Sequence, residues 1–398
     1  MDMERERKID EVLTRGVAEV IGGEKLRERL IRGDELRVKL GIDPTSPNLH
    51  IGRSVVLLKL RDFQELGCKV VLIVGDFTGQ IGDTSDKESE RPMLQADLIK
   101  ENMRTYTSQL GKIIDLTRAE IHSNSEWLEP LGFDDIGSEA EHFSVAEFIA
   151  RENIKKRLDE GRRVSLREML YPLMQGYDSV AVHADVELGG TDQRFNLLAG
   201  RKLQEAHGQS AQSILMTDLV LGIDGRKMSS SWGNTINLLD TPNGMFGKVM
   251  SVPDEMIVPY LIHCTRVPLA EVEVIEAKLF DGGLNPRDAK LRLAREIVSL
   301  YHGSEEGAEA ERYFIETISE KKMPQHVQSY EACENILDFL VSTGIASSKG
   351  AARRLVEQGA VSIDGEKIVV GALLLSKEAH DGKIMRIGSH RFVKIVFS

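Results

Sequence analysis

Apolar and polar positions in the first half of the chain switch between two spacings. Leu36 to Ile42 (LRVKLGI) reads as a strand, and the turn-rich Asp43-Pro44-Thr45-Ser46-Pro47-Asn48 follows it. Val55 to Leu66 (VVLLKLRDFQEL) then places its apolar residues at helical spacing, with Gly67 as a helix stop. Lys69 to Gly75 (KVVLIVG) is a continuous, largely β-branched run of the kind buried on both faces of a sheet. Strand, turn, helix and strand make a βαβ unit, so a parallel sheet is expected. Ligands of such sheets lie at the carboxyl ends of the strands. Gly41-Ile42-Asp43-Pro44-Thr45 and Gly75-Asp76-Phe77-Thr78-Gly79 sit at two such ends.

Glu139 to Leu170 reads as a charged helical insertion between halves of the sheet. Beyond Pro242 the alternation stops, and helical patterns run to about Ile318. Glu320-Lys321-Lys322-Met323-Pro324 resembles a linker. A compact unit begins near Cys333 with two helical runs (NILDFLVSTGI, SKGAARRLVEQ) and short strands (AVSIDGEKIV, KIMRIG, RFVKIVF). The expected fold is α/β: a Rossmann-like parallel-sheet domain over 1–240 with an insertion at about 125–170, a helical domain over 241–325, and a small α+β domain over 333–398.

Composition narrows the class. With 398 residues, 41% hydrophobic and 29% charged, the chain is an ordinary globular sequence of roughly two or three domains. No apolar run approaches the ~20 residues of a membrane span, and the charged start MDMERERKIDEVL has no apolar core for export. No membrane partner is expected. Cys68, Cys264 and Cys333 are odd in number and far apart, which disfavours a disulfide framework or a cysteine-rich zinc site and fits a reducing cytoplasm. The net charge of −12 argues, taken globally, against a nucleic-acid partner.

Two motifs carry chemistry. In the first, Gly41-x-Asp43-Pro44-Thr45 precedes Leu49-His50-Ile51-Gly52-Arg53, which opens a helix. Glycine lets a phosphate approach the backbone, a helix start favours negative charge, and an imidazole there can donate to phosphate oxygens. The second is Gly222-Ile223-Asp224-Gly225-Arg226-Lys227-Met228-Ser229-Ser230-Ser231, a lysine and small hydroxyl residues behind a glycine turn, suited to closing over a polyphosphate. Alone, each also fits a plain reading: a histidine at a helix start, a solvated loop with a surface lysine. Together, in this order and roughly 175 residues apart around a parallel-sheet pattern, they resemble the HIGH and KMSKS signatures of class I aminoacyl-tRNA synthetases.

Three further segments are similar to the tyrosyl-tRNA synthetase family: Tyr171-Pro-Leu-Met-Gln175-Gly-Tyr-Asp178, Gly189-Gly190-Thr191-Asp192-Gln193, and Thr78-Gly79-Gln80-Ile81-Gly82-Asp83. Helical spacing places Tyr171, Gln175 and Asp178 on one face. The resemblance covers nearly the whole chain. It implies a catalytic domain, a helical anticodon-binding-type domain, and a ribosomal-protein-type RNA-binding domain at the C-terminus. It further implies ATP as substrate, Mg²⁺ accompanying it with no protein metal ligands assigned, L-tyrosine and tRNA(Tyr) as partners, and a homodimer formed through the insertion.

The resemblance also implies residue roles. Thr45 and His50 match the pyrophosphate-binding pair, Lys227 the first lysine of the mobile loop, and Lys87 and Arg91 a second basic pair that closes over the phosphates. For Lys87 and Arg91 a solvated charge run is the plain alternative. Gly41, Asp43, Gly52, Arg53, Gly190, Asp192, Gln193, Met228, Ser229 and Ser230 complete the expected ATP site. Lys39, Thr78, Asp83, Asn124, Tyr171, Gln175 and Asp178 form the expected tyrosine site, with Asp83, Tyr171 and Gln175 on the ammonium group and Asp178 on the phenol. Rejection of phenylalanine on that last ground is an already described property of such enzymes. Trp127 reads as core packing.

Three positions depart from the family pattern. Arg53 stands at the second histidine of HIGH, Ser230 at the second lysine of KMSKS, and Lys39 where many relatives carry a tyrosine. Asp178 could then act with a water or with Lys39. A tryptophanyl-tRNA synthetase, a weakened paralogue acting as an RNA-binding protein, and a small-molecule nucleotidylyltransferase stay open as other readings. Gln175 three residues before Asp178, the GGTDQ wording and the C-terminal unit favour tyrosine.

Charge by segment then reverses the global inference. Glu334 to Ser398 holds nine basic against seven acidic side chains, while the preceding 333 residues carry −14. Lys349, Arg353 and Arg354 give that unit a basic face for tRNA phosphates. Deleting 334–398 is expected to spare adenylate formation and impair aminoacylation of tRNA. Equal survival of both activities would remove the RNA-binding role from this unit.

Overall fold

The computed structural model describes residues 3–85, 93–319, 327, 329–369, 373–388 and 391–397. The chain falls into two compact units, 1–307 and 308–398. The expected linker at Glu320 to Pro324 lies outside the described residues.

The first unit is built on a six-stranded sheet: β1 (Val17–Ile21), β2 (Arg37–Ile42), β3 (Lys69–Val74), β4 (Ala119–Ser123), β5 (Val186–Gly190) and β6 (Ser213–Thr217), in the order β1-β6-β5-β2-β3-β4. Only β1 runs antiparallel; the five others form the parallel sheet expected from the βαβ pattern. The chain winds outward from β2 through β3 to β4, then returns to β2's other side with β5 and β6. That reversal between β2 and β5 is a topological switch point, where a crevice opens at the carboxyl ends of the strands. Register aligns those ends: Ile42 pairs with Val74, Val74 with Ser123, and Gly190 with Thr217.

The β-branched run of β3 is buried on both faces as its composition requires. The helix Ile51–Glu65 crosses from β2 to β3, starting directly after His50 and stopping before Gly67, whose φ of 93° is open to glycine at little cost. The helix Leu166–Ala181 begins in a capping box: Ser165 accepts from the Arg167 amide, and Glu168 accepts from the Ser165 amide at 3.0 Å. It lies against the helix Arg194–Ala206 at Gly176, where an added Cβ would stand 3.0 Å from Leu203 Cδ1 and 3.1 Å from the Ala199 carbonyl carbon.

Residues 133–159 form the short helices Phe133–Glu141, Val145–Ile149 and Glu152–Asp159. After Thr241 come the helices Pro242–Met250, Ile257–Cys264, Leu269–Phe280 and Pro286–His302. They are tied to the helix Ile51–Glu65 by a 2.6 Å Ser54–Tyr301 hydroxyl pair and by Arg266, which donates to both Asp62 oxygens at 2.9 Å.

In the second unit, β7 (Ser329–Glu331), β8 (Val361–Ile363), β9 (Glu366–Lys367), β10 (Ile384–Ile387) and β11 (Arg391–Val396) form a mixed sheet in the order β7-β11-β10-β8-β9. The helices Ile336–Ser342 and Lys349–Glu357 close it around a core that includes Phe339, Leu340, Met385 and Ile395. The α+β character matches the sequence pattern; β7 had no clear signal in it.

Because the Ala199 backbone beside Gly176 cannot swing away as the Leu203 side chain can, Gly176→Ala should destabilise the fold by about 1–3 kcal/mol. The urea midpoint checks this; an unchanged midpoint would show that the two helices can part without cost.

Candidate active site

The crevice at the switch point is a cleft of about 1020 Å³, lined from the ends of β2, β3 and β5 and by the loop around Lys227. Most of the expected site residues converge on it.

At one end stands Asp178, buried on the inner face of the helix Leu166–Ala181. Trp127 Nε1 donates to its Oδ1 at 2.8 Å, and Asn124 Nδ2 donates to its Oδ2 at 3.3 Å. Burial still dominates and pushes its pKa up from 3.8 to about 7, against the lowering pull of Lys39 and the two donors. Asn124 Nδ2 also donates to Thr78 Oγ1 at 2.9 Å, and Thr78 Oγ1 in turn donates to Asp43 Oδ1 at 2.8 Å. The Tyr171 hydroxyl donates to the other Asp43 oxygen at 2.8 Å. Asp43, expected at the ATP, thus has its carboxylate turned to the residues expected at tyrosine. Burial raises its pKa to about 6. Gly75 makes this possible, since a Cβ there would fall 2.0 Å from Asp43 Oδ1.

Asp83 accepts from Gln193 Nε2 at 2.7 Å and from the Ser85 amide at 2.9 Å. Gln175 lines the cleft, with its Nε2 donating to Glu187 Oε1 at 3.1 Å.

At the other end, His50 precedes the helix Ile51–Glu65 with its ring buried. Burial, then the nearby charges of Arg53 and Lys227, push its pKa down to about 3. The imidazole is therefore neutral, a hydrogen-bonding group rather than a cation. Its Nδ1 is buried and has no hydrogen-bond partner among the described residues. A Cβ on Gly52 would lie 3.1 Å from that Nδ1 and 3.3 Å from Met228 Sδ, so a bare residue leaves the ring and the loop room to meet. A Cβ on Gly41 would meet no atom of the described residues within 4 Å, so it would project into open space in the cleft.

Arg53 is held by Thr45 Oγ1 at 3.2 Å, and by the Asp43 carbonyl and the Tyr106 hydroxyl at 3.4 Å each. Lys227 pairs with Asp192 at 3.0 Å across the cleft. Asn234 pins the loop, donating to Asp224 Oδ1 and the Lys227 carbonyl and accepting from the Ser229 amide. Gly190, Ser230 and Trp232 also line the cleft, and the Arg226 guanidinium lies 4.8 Å from the Trp232 ring centroid.

Some expected residues are not brought together here. Lys87 and Arg91 lie outside the described residues. Lys349, Arg353 and Arg354 are exposed on the second unit's helix Lys349–Glu357, where Lys349 pairs with Asp338 at 2.6 Å. Lys39 does not line the cleft. It is fully buried behind the helix Leu166–Ala181 and paired with Glu187 at 2.9 Å, because an unpaired ammonium in a central strand would be far costlier. Sequence reasoning passed over Trp127, Tyr106, Asn234 and Glu187. Trp127, read as core packing, does pack on Val71 and Ile73, but its indole N–H serves Asp178. A tryptophan beside a polar Asn124 was the available signal, because a buried N–H needs an acceptor.

Comparison with known proteins agrees with this geometry. A family profile described as tRNA synthetases class I (W and Y) matches residues 32–319, and a tyrosine–tRNA ligase SYY-like C-terminal domain matches 315–393. The tyrosine–tRNA ligase of Thermotoga maritima is 45% identical over 387 residues, covering 96% of each chain. The chain belongs to the tyrosyl-tRNA synthetase family. Another member, the tyrosine–tRNA ligase of Oleidesulfovibrio alaskensis, is 41% identical over the full length of both chains. Among solved structures, the tyrosyl-tRNA synthetase of Archaeoglobus fulgidus, complexed with L-tyrosine, has a TM-score of 0.62 at 23% identity, covering 78% of this chain and all of that one. At that identity the likeness shows the shared fold.

The raised pKa of Asp178 has a consequence for this family member without ligand. The unfolded carboxyl loses its proton near 3.8 and the folded one near 7, so the folded chain holds more protons between these values and loses stability as pH rises across them. The stability of Asp178→Asn relative to the parent should therefore rise by about 1–3 kcal/mol between pH 4 and pH 8, on top of a pH-independent cost of turning its NH₂ onto one of the two donors. Urea unfolding across that range is the check; a difference independent of pH would contradict the assignment.

Proposed function

We propose that the chain activates L-tyrosine with ATP to tyrosyl-adenylate and pyrophosphate, then transfers tyrosyl to the 3′ end of tRNA(Tyr). The observation that carries this is the cleft's polarity: a buried carboxylate with fixed donors at one end, and His50, Arg53, Thr45 and Lys227 at the other. Asp178 accepts from the phenol hydroxyl. Asp83, Tyr171 and Gln175 face the α-ammonium, and Thr78 and Asn124 hold Asp178 and Asp43 in place. A tyrosine carboxylate oxygen attacks the α-phosphorus of ATP while the bond to pyrophosphate breaks. The nucleophile is already an anion, so no general base is needed; catalysis rests on positioning and on stabilising the leaving group's charge.

Neutral His50, Thr45 and Lys227 act on that leaving group, with Lys87 and Arg91. Arg53 supplies a fixed cation beside Thr45 where the family pattern has histidine. The Lys227–Asp192 pair spans the cleft at 3.0 Å; nucleotide would part it, Asp192 taking the ribose with Gly190 and Gln193 while Lys227, Met228, Ser229 and Ser230 follow the phosphates. Mg²⁺ arrives as part of the nucleotide.

The same reading includes a homodimer through the insertion, supported by Phe133, Val145 and Leu166, which are 95%, 72% and 84% exposed. It also includes tRNA contacts by Lys349, Arg353 and Arg354, and a cytoplasmic location supported by three free cysteines. Among the described residues no helix is long and apolar enough to cross a membrane.

Pyrophosphate exchange into ATP should require tyrosine and be unmoved by tryptophan. Lys227→Ala should slow it by about 10²-fold while leaving tyrosine binding in place. Exchange driven by tryptophan, or by neither amino acid, would overturn the reading.

A further inference from the structure

A buried ionic network behind the cleft does a job that the residues facing the substrate cannot do alone. Glu187, on β5, is 1% exposed, and four donors fill its carboxylate. Lys39 Nζ and Gln175 Nε2 donate to Oε1 at 2.9 and 3.1 Å; Ser179 Oγ, at 3.0 Å, and Gln212 Nε2 donate to Oε2. Lys39 Nζ also donates to Ser179 Oγ at 2.8 Å and to the Gln175 carbonyl at 2.9 Å. Space for the network is cut from the neighbouring helix: a Cβ on Gly200 would stand 2.6 Å from Gln212 Nε2, 2.8 Å from Ser179 Oγ and 3.2 Å from Glu187 Oε2. Glycine in mid-helix costs up to about 1 kcal/mol in propensity, so its presence there marks the room as needed.

A side-chain amide has two faces of opposite character, and nothing in glutamine's own shape decides which one points into the cleft. Here chemistry decides it. A carboxylate already receiving an ammonium proton can only accept, so the Gln175 NH₂ must face Glu187, and Oε1 is left for the cleft. That oxygen receives no hydrogen bond from a described residue. We infer that Glu187, held by Lys39, is a positioning residue that fixes Gln175 with its oxygen toward the substrate's α-ammonium group, so that this strand-borne ion pair sets how strongly the site demands a charged amine. This rests on the reading of the cleft as a tyrosine site. Lys39 thereby serves the substrate from behind the helix, without touching it.

The test separates the ammonium from the rest of the ligand. Equilibrium binding to the full chain is measured for L-tyrosine and for 3-(4-hydroxyphenyl)propionate, which keeps the phenol and carboxylate but lacks the amine. Glu187→Gln lets the Gln175 amide turn either way, and should weaken tyrosine about tenfold while leaving the deaminated acid within about twofold of the parent. Because a lone buried Lys39 strains folding, Lys39→Met with Glu187→Leu is measured in parallel and should show the same selective loss. In a Gln175→Ala background the Glu187 change should add nothing to the loss of tyrosine binding. Equal weakening of both ligands, an unchanged preference for tyrosine in either variant, or full additivity with Gln175→Ala would each overturn the inference while leaving the tyrosine reading intact. A parent chain that binds no tyrosine would take both down.

Discussion

The architecture of the cleft depends on where one half-buried carboxylate finds its hydrogen-bond donors. Asp43 follows β2 at the switch point, half-buried in the wall of the cleft. Both of its oxygens are satisfied by the protein: by Thr78 from the turn after β3 and by Tyr171 from the helix Leu166–Ala181. Those two bonds join three segments that are distant in sequence into one floor. Thr78 passes the constraint on through Asn124 to Asp178. The Asp43 backbone carbonyl meanwhile receives Arg53, so the half of the cleft proposed to face phosphates hangs from the same residue. A buried polar network of this kind holds one geometry when every member is satisfied.

Electrostatics divides the two ends of the cleft by opposite uses of burial. At Asp178 and Asp43, desolvation lifts carboxylate pKa values toward neutrality, so charge is present but poised. At His50, desolvation and two neighbouring cations keep a base neutral. The protein therefore reserves fixed positive charge for Arg53 and Lys227 and leaves the imidazole as a hydrogen-bonding group. With serine at 230, the loop carries one cation fewer than the family signature, and Arg53 stands on the rigid side of the cleft rather than on the loop.

Much of this was legible in the sequence, for identifiable reasons. The continuous apolar run Lys69 to Gly75 and the helical spacing after Val55 are direct imprints of two-sided burial and of 3.6-residue periodicity, so the parallel sheet could be read from them. The convergence of His50 with Lys227 was legible because both motifs keep a local wording. Less visible were partners brought in from elsewhere in the fold. Lys39 looks like a substrate-facing side chain until β5 supplies Glu187, 148 residues away. Trp127 looks like packing until the helix carrying Asp178 arrives beside it. A single side chain's direction in a strand is known only once its neighbours are, and no local pattern encodes that. The short β7 was missed for the same reason: its pairing with β11 comes from the far end of the chain.

The placement of the aromatic residues has a practical side. The chain has two tryptophans, and they stand at opposite ends of the cleft. Trp127 bonds to the carboxylate proposed to select the amino acid, while half-exposed Trp232 lies under a guanidinium beside the nucleotide loop. One indole answers to a change in a buried acid's charge and the other to loop position and solvent. The molecule thus carries two indoles in different surroundings, one on the buried acid and one on the loop, and on the proposed reading each sits beside a different substrate.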